Sequence, residues 1–211
     1  MTEYNLTTPH TGITACILGA EKAEQTASRP WCKSGAWIST YSGKQVFPLS
    51  PTEDSIDIVD IAHHLALLNR FTGATIEPYS VAEHSWRASY LVSPENALWA
   101  LLHDAPEAYI ADMSRPLKHD TPIGDVYREV EKSIMAVICR KFNLPIEEPD
   151  EVKLADNRML MTEKRDLLRN NTSHPDWGID AEPIAEYIHP VDWRKAKKLF
   201  IDRFRELTSG K

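Results

Sequence analysis

Cysteine is scarce in this sequence, and the few cysteines that are present form no motif. Cys16, Cys32 and Cys139 are widely spaced, odd in number and never arranged as CxxC. This usage argues against a disulfide framework and is typical of free thiols in a reducing compartment. We therefore expect a cytoplasmic protein.

Long apolar runs and an excess of basic residues are missing as well. The apolar run at 13–20 is too short and too interrupted to span a bilayer, and no basic region precedes it. The formal net charge of −7 argues against a protein whose main ligand is a nucleic-acid backbone. We expect neither a membrane nor a nucleic acid as partner. A small polyphosphate stays compatible, because a metal ion and a few local bases can supply positive charge.

The composition is that of a globular protein with a sizeable core. The chain has 211 residues, of which 42% are hydrophobic and 26% charged, and this fits one domain, or one domain with an appendage. Residues 1–35 show no sustained period and predict an N-terminal arm or cap, whereas residues 36–211 predict a single helical domain. Two short strand-like runs flank Gly43 and predict a β-hairpin at about 37–47.

Helical periodicity of apolar residues begins near Ser55 and continues, with breaks, through most of the chain. Helices are predicted at about 55–70, 80–91, 93–107, 121–142, 150–168, 183–187 and 191–207. Ser80, Ser93 and Thr121 are the expected N-caps, and Pro106 should kink or shorten the third helix. The predicted fold class is all-α, a helical bundle with a small N-terminal β-hairpin.

The stretch from Leu101 to Asp112 concentrates residues that could perform chemistry. On a helix, His103 and Glu107 would share a face, with Asp104 about 100° round from His103. A histidine nitrogen beside a carboxylate oxygen can bind a divalent cation, and a nearby glutamate can transfer a proton. For the dipeptide alone, the alternative is an ordinary helix end with solvated acids.

Two further candidate ligands lie on other predicted helices. His84 has apolar neighbours that place it inward, and Asp156 is an acid on the apolar side of its helix. Burying an ionisable group is costly unless it is paired or bound to a metal. Taken singly, His84 could be a hydrogen-bonded core histidine, and Asp156 a cap or a salt-bridged acid. Together with His103 and Asp104, they make a metal site the better interpretation.

The ordered set His84, His103-Asp104, Asp156 resembles the signature of the HD-domain metal-dependent phosphohydrolases. The spacing from His103 to Glu107 and Asp112 is similar to that of HD 5′-deoxynucleotidases and of phage deoxynucleoside triphosphohydrolases. The phage-type members are resembled further in the stretches 37–43, 48–49, 60–63, 70–71 and 79–85. The resemblance covers about residues 36–170 and implies an HD-type helical bundle.

The resemblance also implies roles for particular residues. The implied ligands of one divalent transition metal ion are His84, His103, Asp104 and Asp156. Acid–base catalysis or water orientation would fall to Glu107 and Asp112. The substrate would be held by Arg70, Phe71 and Lys118, with Phe71 standing where the nucleotidases commonly have a tryptophan. The donor set suits Mn, Co, Zn, Fe or Ni, with Mg²⁺ as an optional companion of the substrate phosphates.

The activity implied by the resemblance is that of an enzyme, a phosphohydrolase acting on 2′-deoxynucleotides. The phage-like N-terminal half favours a deoxynucleoside triphosphohydrolase that converts dATP to deoxyadenosine and triphosphate. The alternative is a 5′-deoxynucleotidase that hydrolyses monophosphates. An alternative of another class is a non-catalytic nucleotide-sensing module, against which the pair Glu107 and Asp112 argues, because a binder needs no proton donor. Relatives are commonly oligomers, so we expect a homo-oligomer.

Overall fold

The structure of the protein, a computed structural model, describes residues 35–169 and 177–209. Within these ranges the chain is mostly helical, with one two-stranded antiparallel sheet near the N-terminal end. The prediction of an all-α fold with a small β-hairpin is therefore confirmed. The predicted arm at 1–35 lies outside the described residues except for its last position.

In the described residues the helices follow one another in chain order, with one 3₁₀ turn before the first helix and another between the first and the second. They are α1 (Ile58–Leu67), α2 (Val81–Ala88), α3 (Ala97–Leu102), α4 (Glu107–Ile110), α5 (Arg115–Asp120), α6 (Pro122–Phe142), α7 (Asp150–Leu167) and α8 (Trp193–Thr208), and the 3₁₀ turns are Glu53–Ser55 and Arg70–Gly73. In the part of the chain that the structure describes, no helix has both the length and the apolar composition needed to cross a membrane.

The hairpin is fastened to the helical body at its turn. Strands β1 (Ile38–Ser39) and β2 (Gln45–Val46) pair antiparallel. The turn between them includes Gly43 at φ +83°, a left-handed conformation that glycine adopts without strain. The buried carboxylate of Asp60 on α1 accepts hydrogen bonds from Ser42 N at 2.6 Å and Ser42 Oγ at 2.8 Å. These bonds set the position of the hairpin against α1.

Two of the predicted helix starts are confirmed by their caps. The hydroxyl of Ser80 accepts from Glu83 N, and the hydroxyl of Thr121 accepts from Gly124 N with proline following at the first helical position. Each cap satisfies a backbone N–H that has no partner inside the helix. Because such bonds join residues three apart, the local sequence is enough to predict them.

The predicted helix at 93–107 is wrong at its start and in its continuity. Ser93 does not cap a helix, because its N–H and hydroxyl donate to Glu151 at 2.8 and 2.7 Å, and α3 begins only at Ala97. Turns over 103–106 then separate α3 from α4, in agreement with the expected effect of Pro106. His103 and Glu107 therefore do not share one continuous helix.

Two smaller differences from the predicted helices concern the segment 183–187 and the helix α5. The predicted helix at 183–187 is irregular chain, since Ile184 N donates to Thr162 Oγ1 and Ile188 N donates to Asp166 Oδ2, both at 2.9 Å. Side chains of α7 thus replace the helical partners of these amides. The short helix α5 was not predicted.

The main hydrophobic core lies where α8 crosses α1, α2 and α3. Phe200 on α8 is fully buried there. Three tryptophans contribute to the packing: Trp99 is buried and donates to Pro145 O at 3.0 Å, while Trp86 and Trp193 pack against the main core. The core holds α2 and α3 together, and both elements lead into the candidate site.

Replacing Phe200 by alanine should destabilise the protein by about 3–5 kcal/mol, because the truncated side chain leaves a cavity in the core. Urea unfolding followed by circular dichroism measures the change. As a control, Ile123→Ala removes a side chain at a residue that is 68% exposed and should change the free energy of unfolding by less than ~0.5 kcal/mol. Equal losses in the two variants would contradict the assignment of Phe200 to the core.

Candidate metal centre

Two imidazoles and two carboxylates converge between α2, the end of α3 and α7. His84 Nε2 lies 3.2 Å from His103 Nε2 and 3.1 Å from Asp156 Oδ1. Asp104 Oδ2 lies 3.2 Å from His103 Nε2 and 3.7 Å from His84 Nε2. The structure thus brings together all four residues that the sequence predicted as ligands.

Three of these residues form the tighter group. His84, His103 and Asp104 each offer one ligand atom, and these atoms all lie within 4.8 Å of one another, so the group could hold a metal ion. Asp156 stands outside that group of three, although its Oδ1 is within 3.8 Å of both Nε2 atoms. Its side chain is 38% exposed. Asp156 therefore borders the cluster on a side that solvent can reach.

The hydrogen bond made by Nδ1 of each histidine determines whether Nε2 offers a lone pair to the cluster. His84 Nδ1 is 2.6 Å from Glu163 Oε1, and His103 Nδ1 is 2.8 Å from Ala100 O. Carboxylates and carbonyls only accept hydrogen bonds, so Nδ1 carries a proton in both rings. A neutral ring then directs the lone pair of Nε2 into the cluster. Two such lone pairs beside two carboxylate oxygens are the donor set of a divalent cation, and the residues fit one.

Glu163 is the functional residue that the sequence prediction missed. It lies on α7, is fully buried, and accepts from both His84 Nδ1 and Arg70 Nε, the latter at 2.9 Å. A signal did exist, because Glu163 follows Asp156 by seven residues, a spacing that places both acids on the same face of a helix. The signal was easy to overlook among the many exposed acids of the sequence.

The charges of the cluster alter the protonation of its members. Burial acts to lower the pKa of His103, but Asp104 and Asp156 outweigh it and raise that pKa to about 10. The pKa of His84 is raised as well, against burial, by Glu163 and Asp156. Burial acts to raise the pKa of Asp156, yet the two histidines lower it to about 2. Without a metal ion, the cluster therefore takes up protons in its place.

Glu107, a predicted acid–base residue, is buried beside this cluster. It is 4% exposed, and its Oε2 has no hydrogen-bond partner among the described residues. Burial, reinforced by the negative charges of Asp104 and Asp112, raises the pKa of Glu107 well above its ordinary value. A carboxyl group in this environment stays protonated to higher pH and can donate its proton.

Asp112, the second predicted acid–base residue, follows a strained backbone position. Ala111 has φ 62° and ψ 169°, a region that is almost confined to glycine. Its carbonyl accepts from Tyr127 Oη at 2.6 Å and its N–H donates to Glu107 O at 2.8 Å, so both neighbours hold the strained conformation. Asp112 reaches the surface, yet the surrounding protein and Asp104 raise its pKa.

The predicted substrate residues Arg70 and Phe71 lie on a distorted turn at the edge of the cluster. Phe71 and Thr72 have left-handed φ values of 54° and 55°, which cost roughly 1 kcal/mol or more each. The turn directs Arg70 Nη1 to within 3.4 Å of Asp104 Oδ2, while its Nε bonds Glu163. Phe71 stays half-buried, with its ring centre 5.5 Å from the guanidinium carbon of Arg70.

Lys118, the third predicted substrate residue, is already engaged in an ion pair. Its Nζ is 2.7 Å from Glu131 Oε1, and this partner, against the effect of burial, raises the pKa of Lys118. Asp104 and Glu107 contribute to the same shift, so the ammonium group lies within electrostatic range of the candidate site. A ligand phosphate would have to compete with Glu131 for it, a contact that the sequence did not predict.

Fold and site together define a helical protein with a partly buried His–His–Asp group that could hold a metal ion. No protein-family model matches the chain. The chain is 40% identical over 177 residues to the uncharacterized protein YfdR of Escherichia coli strain K12, covering 82% of this chain and 96% of YfdR. It is also 40% identical over 129 residues to the uncharacterized protein RCAP_rcc00048 of Rhodobacter capsulatus, covering 57% of this chain and 65% of that protein. The chain belongs to the same family as YfdR.

Replacing Glu163 by glutamine should weaken divalent-metal binding roughly 10–100-fold, because the amide no longer supplies the charge that makes His84 a strong ligand. Isothermal titration of metal-stripped protein with Mn²⁺ or Co²⁺ measures the affinity. Glu206→Gln is the matched control, since this glutamate on α8 has a side chain that is 62% exposed. Equal affinities in wild type and Glu163→Gln would show that the buried carboxylate does not support the ligand.

Metal binding should also release protons, and metal affinity should rise with pH. The pKa of His103 is raised to about 10 in the metal-free cluster, so its ring is protonated at neutral pH and must lose that proton before Nε2 can bind a cation. Proton competition weakens as the pH increases towards this pKa. Titrations in buffers of different ionisation enthalpy count the protons released, and we expect at least one per metal ion. An affinity that stays constant between about pH 6 and 8 would contradict this.

Proposed function

We propose that the protein is a metal-dependent phosphohydrolase of the HD type that acts on 2′-deoxynucleotides, with dATP as the favoured substrate and deoxyadenosine and triphosphate as products. The observation that carries the proposal is the position of Glu107. Among the described residues, a buried carboxyl group with an unpartnered oxygen stands beside a His–His–Asp group suited to a metal ion. A site that only holds a metal has no use for such a proton donor. The choice of nucleotide rests on the sequence resemblance described above.

The metal proposed for the cluster is one divalent transition ion. Two imidazole nitrogens and two carboxylates suit Mn, Co, Zn, Fe or Ni. When bound, such an ion supplies a Lewis acid that withdraws charge from phosphoryl oxygens and makes water more acidic. Asp156, at the exposed border of the cluster, would contribute the fourth ligand.

Glu107 and Asp112 handle the protons of the reaction. A water oxygen attacks the α-phosphorus, and the bond from this phosphorus to the 5′-oxygen breaks. Glu107, whose pKa is raised by burial, donates a proton to the leaving 5′-oxygen. Asp112 orients the attacking water and accepts its proton, and the two roles can be exchanged between the carboxyl groups.

Arg70 and Lys118 offset the repulsion between the substrate and this acidic site. The carboxylates of Asp104 and Asp112 would oppose the approach of a polyphosphate. The guanidinium of Arg70 next to Asp104 and the ammonium of Lys118, which lies within electrostatic range of the same site, restore positive charge where phosphate oxygens would lie. Arginine offers a planar fork of donors and lysine a compact point charge.

The activity test separates the competing functions by their products. Purified protein is incubated with each dNTP and each dNMP in the presence of Mn²⁺ or Co²⁺, and the products are resolved by ion-exchange chromatography. Release of triphosphate from a dNTP supports the favoured activity, whereas phosphate from a dNMP identifies a 5′-deoxynucleotidase. No turnover of any nucleotide by protein that has bound metal would refute both, and nucleotide-dependent thermal stabilisation without products would identify a sensing module.

Glu107→Gln should lower kcat by roughly 10²–10⁴-fold, the usual contribution of a positioned general acid, because the amide cannot donate the proton. Metal affinity should stay within about threefold of wild type. The reason is that Glu107 is not one of the three residues, His84, His103 and Asp104, whose ligand atoms lie within 4.8 Å of one another. Steady-state kinetics and metal titration measure the two effects. Glu206→Gln serves again as the control, and full activity in Glu107→Gln would remove this residue from the mechanism.

A further inference from the structure

Two aromatic rings from separate parts of the chain meet beside the candidate site. The ring centres of Phe71 and Trp177 are 6.1 Å apart, with an angle of 30° between the ring planes. Trp177 is 43% exposed, and Phe71 is half-buried. Neither ring is among the residues that form the hydrophobic clusters of the described chain. The contact between Phe71 and Trp177 therefore lies outside those clusters.

The pair is joined to the metal centre through one side chain. The guanidinium carbon of Arg70 lies 5.5 Å from the centre of the Phe71 ring, and Arg70 Nη1 lies 3.4 Å from Asp104 Oδ2. The same guanidinium thus borders the aromatic surface on one side and the acidic cluster on the other. In a nucleotide, a sugar separates the phosphate from the base in a similar way, so a phosphate near Arg70 would bring the base towards the rings.

The charges around the rings also suit an anionic ligand with a planar group. Lys164 Nζ lies 4.9 Å from the centre of the Trp177 ring, and the Arg70 cation borders Phe71. Each of the two rings therefore has a cationic side chain close to it. The left-handed backbone of Phe71, at φ 54°, is a strained conformation of the kind found where a side chain is presented to a ligand.

We infer that Phe71 and Trp177 form a stacking surface for the nucleobase, and that Trp177 makes this surface favour purines over pyrimidines. The inference rests on the proposed function for the identity of the ligand. Trp177 lies beyond residues 36–170, the part of the chain that carries the family resemblance. Stacking strength grows with the overlap of π faces, so the larger purine gains more from the indole ring than a pyrimidine does. Stacking tolerates either purine, so the surface selects ring size and leaves adenine and guanine undistinguished.

Binding to metal-stripped protein tests the inference without any turnover. The ligands are dAMP, dCMP and 2-deoxyribose 5-phosphate, measured by isothermal titration. Wild type should bind dAMP roughly tenfold more tightly than the sugar phosphate, as expected from one stacked base. Trp177→Leu keeps an apolar side chain but lacks a π face and should lose most of this preference, whereas Trp177→Phe should retain most of it. Trp37→Ala is the control, since Trp37 beside β1 is 54% exposed.

Three outcomes would overturn the inference. They are a wild-type protein that binds dAMP and the sugar phosphate equally, a Trp177→Leu variant that keeps the wild-type preference, and an equal weakening of both ligands in that variant. Circular dichroism melting confirms that each variant is folded. If Trp177→Leu does not fold, Trp177→Phe replaces it in the test, because the smaller ring should reduce the preference for dAMP over dCMP.

Kinetics on metal-loaded protein separates this inference from the proposed function. Trp177→Leu should raise KM for dATP roughly tenfold, raise it less for dCTP, and leave kcat within a fewfold of wild type. Turnover with unchanged KM values would overturn the stacking surface and leave the phosphohydrolase intact. A dAMP preference that disappears in Trp177→Leu, in a protein with no turnover, would uphold the surface and refute the activity.

Discussion

The buried hydrogen bond between His84 and Glu163 is the contact on which the whole candidate site depends. At 2.6 Å it holds the proton on Nδ1, so that the Nε2 lone pair faces His103 and the two aspartates. The other oxygen of Glu163 receives Arg70, which in turn reaches Asp104. A buried carboxylate without these partners would be costly, so the three groups require one another. One acid on α7 thereby orients residues from α2, from the turn before α2 and from the end of α3.

Backbone strain and an unsatisfied buried polar atom occur around the same centre. Phe71, Thr72 and Ala111 are three of the non-glycine residues with positive φ among those the structure describes, and each lies next to a residue of the candidate site. Glu107 adds a buried oxygen that has no hydrogen-bond partner in the described part of the chain. Such features lower stability and persist only where the surrounding packing maintains them, as the core between α8 and α1–α3 does here. Their clustering is a physical reason to place chemistry at this site.

Elements that depend on neighbours in the chain were predictable. Apolar spacing located α1, α6, α7 and α8, and the caps at Ser80 and Thr121 involve bonds across three residues. The helix predicted from Ser93 failed because Glu151, on α7, takes the donors of that serine. The segment at 183–187 was assigned wrongly for the same reason, since its amides bond to side chains of α7. Local periodicity carries no information about such partners.

The sequence by itself determined the helical fold class, the hairpin and the four residues that converge as candidate ligands. It could do so because periodicity, capping and the chemistry of histidine and aspartate are properties of short segments. Only the tertiary structure decided that Glu163 holds His84, that Glu131 occupies Lys118, and that Trp177 meets Phe71. Each of these contacts joins residues from different elements of the chain, and the tertiary arrangement of those elements sets their distances.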